Sequence, residues 1–342
     1  MSIAQSKLAV AIAIATTATL LSAQTPASPP AGTLIVLSKA DQTLSTVDPI
    51  TLKVLGRTAS GPDPHEVVAS DDGRMAYIAN YNGGGNIITP VDLVAMKTLA
   101  PIDLGPLRAP HGLHFAGGKL WFTAEAAKAI GSYDPATSKV DWILGTGQNR
   151  THMIVVSADL SRMVTSNVSS ATMTIIEKTA AAGRGGRGGG PQTDWNETVI
   201  AVGRGAEGFD ISPDGKEIWA ANAQDGTVSI IDAAAKKVTD TLAANVNGAN
   251  RLKFTPDGKL VFVSTLSGPD LVIIDAATKR DVKRVKIGRG AAGIQMQPDG
   301  TRAYVACTPD DYVAVIDLKT LDVVGHIEAG RQPDGLAWIA RR

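Results

Sequence analysis

The sequence predicts an all-β chain folded as a seven-bladed β-propeller. Three observations lead there. A segment of the type VSIIDAAAKKV (228–238) recurs, placing acidic residues at Asp48, Asp92, Asp134, Glu177, Asp232, Asp275 and Asp317. The steps between them are 44, 42, 43, 55, 43 and 42 residues, the length of one four-stranded blade. Inside each repeat the apolar residues alternate as half-buried strands require.

The chain starts with a segment that does not belong to this pattern. Lys7 precedes the apolar run 8–21, LAVAIAIATTATLL, too short to span a bilayer as a helix. Ser22-Ala23-Gln24 then offers small residues for cleavage after Ala23. Residues 1–23 read as a secretory signal peptide. Residues 24–32 read as a disordered spacer, and 33–342 as the propeller. The protein is expected to be exported, periplasmic or secreted, with no membrane insertion once the signal is removed. Basic and acidic residues number 33 each, so no long-range field draws the chain to nucleic acid. A single cysteine, Cys307, excludes an internal disulfide and reads as a small buried filler.

Each repeat reads as strands A to D. In 207–243, EGFDIS is strand A, SPDGK a tight turn, EIWAAN strand B, TVSIID strand C and KVTDTLA strand D. The A–B turn recurs as SDDG, AGG, SADLS, TPDG and QPDG, making six hairpins against seven C strands. Residues 33–58 supply strands B, C and D without a strand A. PDGLAWIA at 333–340 is a strand A with nothing after it. Joined, the two ends complete one blade and leave no sheet edge open. The 55-residue step holds a Gly/Arg-rich insertion, 179–193, between strands C and D of the fourth blade in chain order, and reads as a flexible loop.

YIAN, WAANAQDGTVSIID and YVACTPDDYVAVID resemble the YVTN-type repeats of exported bacterial seven-bladed propellers. The third blade, PHGLHFAGGKLWFTAEAAKAIGSYDPATSKV, also resembles repeats of virginiamycin B lyase-like propellers. These resemblances imply the fold. They imply little about function, because propellers host many unrelated chemistries.

Strand A is innermost in a propeller, so its opening residues ring one mouth of the central channel. Those openings are His65, His111, His152, Glu207, Asn250, Ala292 and Asp334. Three of the five histidines fall on this ring, beside two carboxylates. Imidazole and carboxylate together suit a divalent metal ion, so His65, His111, His152, Glu207 and Asp334 are candidate metal ligands. The ends of strand B place Glu125, Asn80, Asn167 and Asn222 on the same face. Glu125 and Glu207 are candidate proton carriers. The asparagines are candidate ligand-binding groups that orient the imidazoles. Loops entering strand A carry Arg108, Arg150, Arg204, Arg289 and Arg331, candidate clamps for an anionic ligand. His114 reads as strand-A packing and His326 as surface.

Two GxGxxG matches, 203–208 and 288–293, lack a strand–turn–helix setting and do not mark a dinucleotide site. No CxxCH haem-attachment site or GxSxG elbow is present. The expectation is an exported propeller whose channel mouth binds a divalent metal. It would act as a metal-assisted hydrolase or lyase on a small anionic molecule. The alternative is a non-catalytic module that binds a ligand or a protein partner.

Overall fold

The computed structural model describes residues 32–81, 83–180 and 193–340. Their strands form seven antiparallel sheets, the blades of a propeller. Blade 1 is the split one. Pro333–Ala340 is its strand A, and Gly32–Ser38, Thr43–Val47 and Val54–Ala59 are its strands B, C and D. Leu34 pairs with Trp338 and Val36 with Leu336 across the seam. The two ends of the chain thus close the ring through a hydrogen-bonded sheet, as the count of hairpins and C strands predicts.

Blades 2 to 7 open with Pro64–Ala69, Pro110–Ala116, Thr151–Val156, Ala206–Ile211, Ala249–Phe254 and Ala291–Met296. Together with Pro333–Ala340, these strands touch one another in order around the channel. Strands B and C are buried on both faces, so Glu217–Asn222 and Thr227–Asp232 read as near-continuous apolar runs. Strand D is outermost and alternates half-buried with exposed residues, as in Lys237–Leu242. The core lies between blades. Leu34, Val36 and Val47 of blade 1, for example, pack against Tyr304, Val313 and Val315 of blade 7.

The recurring aspartate has a local cause. Its carboxylate accepts the backbone N–H two residues on, as with Val94 N to Asp92 Oδ1 at 2.9 Å and Lys319 N to Asp317 Oδ1 at 2.9 Å. This side-chain turn fixes the C–D hairpin. Blade 4 carries Glu177 instead, which pairs with Arg162 at 2.7 Å and with Lys236. Its strands Thr172–Ala180 and Thr193–Ala201 run on past the length at which the other blades turn. Thr179 and Ala180 pair with Asp194 and Thr193, so the ends of the expected loop 179–193 are strand. Its middle lies outside the described residues, as do the signal segment and the spacer up to residue 31. Gly32, assigned to the spacer, joins the sheet opposite Ala340. A Cβ there would meet Trp338 Nε1 at 2.3 Å. In blade 2 strand D is broken into Lys97–Thr98 and Ile102–Asp103, because Pro101 cannot donate to the ladder.

Cys307 is free and fully buried, and burial pushes its thiol up to about 12. His326 is exposed on the last strand D and lies against Tyr312, ring centroids 4.3 Å apart.

Candidate functional site

The mouth is built by a repeated irregularity in strand A. In blade 4, Thr151 pairs with Asn167 and Ile154 with Thr165, leaving His152 and Met153 out of the ladder. Glu207 and Gly208 are left out in blade 5, and Asn250 and Arg251 in blade 6. Such a bulge turns side chains away from the sheet face, here into the channel. The second skipped residue is glycine in four blades because the next strand A comes too close for a side chain. A Cβ on Gly112 would meet His152 O at 2.5 Å, and one on Gly208 would meet Asn250 O at 2.5 Å. Hydroxyls of strand B then lock the openings. Thr123 Oγ1 donates to His152 O at 2.8 Å, Ser166 Oγ to Glu207 O at 2.7 Å, and Ser264 Oγ to Ala292 O at 2.7 Å.

These residues wall a cavity of about 350 Å³ at the mouth. His111 and His152 are buried with ring centroids 3.8 Å apart, and His65 lies 5.6 Å from His111. Glu125 is buried beside them. Its Oε1 meets His152 Nδ1 in a short hydrogen bond, and its Oε2 accepts Tyr81 O–H at 2.7 Å. Glu207 Oε1 lies 3.0 Å from His152 Nε2, but too obliquely to satisfy that nitrogen. Arg150 bridges the two carboxylates loosely, 3.5 Å from Glu125 and 3.7 Å from Glu207. One ligand atom each from His111, Glu125 and His152 lies within 4.8 Å of the others. His111 Nδ1 is buried with no partner.

The charges are uneven. Burial, with the neighbouring cations and rings, pushes His111 well below the ordinary imidazole value, favouring its neutral form. Burial pulls His152 the same way, but the charges of Glu207 and Glu125 and its hydrogen bond to Glu125 overcome it and raise its pKa. Glu207 responds in turn: burial would raise it, yet His152, Arg150 and Arg251 bring it down to about 2. Burial also opposes the ionised form of Glu125, and His152 and Tyr81 outweigh it.

The structure brings together only part of the set read from the sequence. His111, His152 and Glu207 line the cavity, and Glu125, read as a proton carrier, stands among the potential metal ligands. His65 lines the cavity but both ring nitrogens face partners. Lys39 Nζ is 3.2 Å from Nε2, and Asp63 O is 3.3 Å from Nδ1. Asp334 is paired with Lys39 at 3.1 Å. Of the five arginines only Arg150 reaches the cavity. Arg204, Arg289 and Arg331 pair with Asp225, Asp310 and Asp41 at 2.7–2.8 Å on the rim, and Arg108 donates to Gly84 O at 2.9 Å. Asn80, Asn167 and Asn222 point into their own blades, donating to Pro62 O at 2.8 Å, Thr174 Oγ1 at 2.9 Å and Ser229 Oγ at 2.9 Å. They orient no imidazole. Side chains alternate along a strand, so the next residue is the one that faces the mouth: Tyr81, Leu266 and Thr308 line the cavity, and Glu125 stands against His152. Below the mouth a second chamber of about 320 Å³ continues the channel, and Arg251 lines both. His114 half-lines this lower chamber rather than an inter-blade core, and burial, aided by Lys253, lowers it to about 4.

Fold and site define the class: a seven-bladed propeller with a buried histidine–glutamate cluster in its channel mouth. The chain belongs to the cytochrome D1 heme domain family, whose profile matches residues 118–294. No curated protein sequence matches it. Several solved structures share the fold. One is a protein from Bacteroides fragilis described as a candidate 6-phosphogluconolactonase, with TM-score 0.72 and 14% identity over 92% of this chain and 100% of that one. Another is the dihydro-heme d1 dehydrogenase NirN, with TM-score 0.61 and 16% identity over 89% of this chain and 64% of that one. A third is a protein of unknown function from Desulfotomaculum acetoxidans, with TM-score 0.70 and 16% identity over 91% and 99%.

Haem does not fit the mouth cavity. Sites for large organic ligands are mostly apolar, with few polar groups, and range over roughly 300–1,000 Å³. This one lies at the small end. Lys39, Arg150, His152, Glu207, Arg251 and Asp334 put charge on its walls, while Leu266, Ala292 and Pro309 supply little apolar face for a flat macrocycle.

The paired carboxylates predict that His152 titrates above the ordinary imidazole value. The stability from this clamp is complete below about 6.5 and is lost as pH rises through the raised value. NMR titration of the imidazole signals checks it: His152 shifts down in Glu207→Gln, whereas an unchanged midpoint would contradict the clamp.

Proposed function

We propose that His111, Glu125 and His152 hold a divalent metal ion, and that the protein uses it to hydrolyse or eliminate on a small anionic molecule, foremost a lactone or ester. The convergence of three buried ligand atoms within 4.8 Å carries this reading. Two imidazoles and a carboxylate suit Zn²⁺, Fe²⁺ or Mn²⁺. The bare His111 Nδ1 supports it, because a buried polar atom without a partner costs free energy that a ligand would recover. An ion held by these residues would supply Lewis acidity to a carbonyl oxygen or a water. Glu207, outside the ligand set, moves the proton. An ion held there would add positive charge beside Glu207, so the proton Glu207 takes would come from a water or substrate that the ion acidifies. Arg150, loosely held, is free to turn toward an anion. The fold shared with a described 6-phosphogluconolactonase candidate agrees with a lactone but does not decide it.

A binding-only role has one observation in its favour. Tyr81, Glu125 and His152 already satisfy one another without a metal. Metal analysis separates the two readings. The purified protein should hold about one divalent ion per chain, and His111→Ala should lose it together with any lactone hydrolysis. Equal metal content in the two proteins would defeat the enzyme reading.

The YVTN-type repeat assignment and export through residues 1–23 belong to the same proposal. Lys7, the apolar run and Ala23 support export. N-terminal sequencing of the protein from an exporting host should start at Gln24; a chain that keeps residues 1–23 contradicts it.

A further inference from the structure

Resting on the reading that the mouth takes a small anionic molecule, we infer that Asn250 and Arg251 form its specificity subsite, built for a hydroxylated acid or its lactone. The two residues are the pair that the blade 6 bulge turns into the channel. Arg251 is only 6% exposed, and its guanidinium lines the mouth cavity. One terminal nitrogen pairs with Glu66 across the channel, the other donates to Asn250 O at 3.0 Å, and Nε meets no hydrogen-bond partner among the described residues. A planar fork with an uncommitted donor binds a carboxylate edge-on. Arg204, Arg289 and Arg331 are spent on rim aspartates, Arg108 on Gly84 O, and the half-exposed Arg150 lies between Glu125 and Glu207, so among the described residues Arg251 is the one buried guanidinium at the mouth.

Asn250 supplies the second half. Its side-chain amide makes no hydrogen bond to any described residue, and its Oδ1 is buried. It lines the same cavity. An amide left unpaired at a cavity wall calls for a ligand that both donates and accepts, which a hydroxyl does. Carboxylate for Arg251 and hydroxyl for Asn250 together describe a hydroxy acid. Arg251 lines both chambers and Glu66 the lower one, so their pair stands where the two chambers meet.

Calorimetric binding of gluconate and of hexanoate to the full chain tests this, since the two share a carboxylate and differ in hydroxyls. The wild type should bind gluconate the more tightly. Asn250→Ala should weaken gluconate roughly tenfold and leave hexanoate unchanged. Arg251→Met should weaken both, roughly tenfold or more. Because that change leaves Glu66 buried and unpaired, Glu66→Gln/Arg251→Met serves as its folded counterpart and should show the same loss. Equal binding of the two acids by the wild type, no binding of gluconate at all, or wild-type affinity in either single variant would overturn the subsite. Metal content is read on the same proteins. Retained metal without discrimination sinks the subsite alone, and discrimination without metal sinks the metal reading alone.

Discussion

Seven innermost strands meet around one axis, and their close approach governs what the mouth can hold. At Gly293 and Gly335 the carbonyl of the next strand lies 2.2 and 2.3 Å from where a Cβ would stand. Neighbouring backbones therefore pack without side chains between them, and the opening residues are forced out of the ladder into the channel. The hydroxyls of Thr123 and Ser166 fix the carbonyls of His152 and Glu207. Positioning of the site is thus a property of the backbone and of neighbouring strands, not of mobile loops.

The charges of the mouth are held at a desolvation cost that their mutual pairing offsets. Replacing a buried ion pair with apolar groups is commonly neutral or stabilising by about 1–4 kcal/mol, while removing one partner costs about 3–5 kcal/mol. Glu125, His152, Glu207, Arg251 and Glu66 form such a buried set. What the set produces is a contrast of charge: burial favours the neutral form of His111, while the carboxylates favour the charged form of His152, with the two ring centroids 3.8 Å apart.

The architecture was legible in the sequence because strand period, turn residues and the Asp of the C–D hairpin each report a local cause. The count of hairpins against C strands placed the seam at 333–340. The mouth was half legible. Aligned strand-A openings located His111, His152 and Glu207. The asparagines were misread by one position, since strand alternation sends Asn80 into the blade and Tyr81 to the mouth. The arginines were misread because rim pairing with Asp225, Asp310 and Asp41 is set by loops that sequence spacing does not bring together. Glu66 and Arg251 left a signal that went unused: PHEV and ANRL carry a charged residue where PHGL, AEGF, AAGI and PDGL carry glycine. Their pairing across the channel joins residues 185 apart and needed the closed ring to be seen.

The most direct test is anomalous diffraction from crystals of the full chain grown with Zn²⁺ or Mn²⁺. The account predicts a single strong peak at coordination distance, about 2.0–2.2 Å, from His111, Glu125 and His152. A cavity with no peak there, or an ion bound elsewhere with the Glu125–His152 hydrogen bond intact, would contradict it.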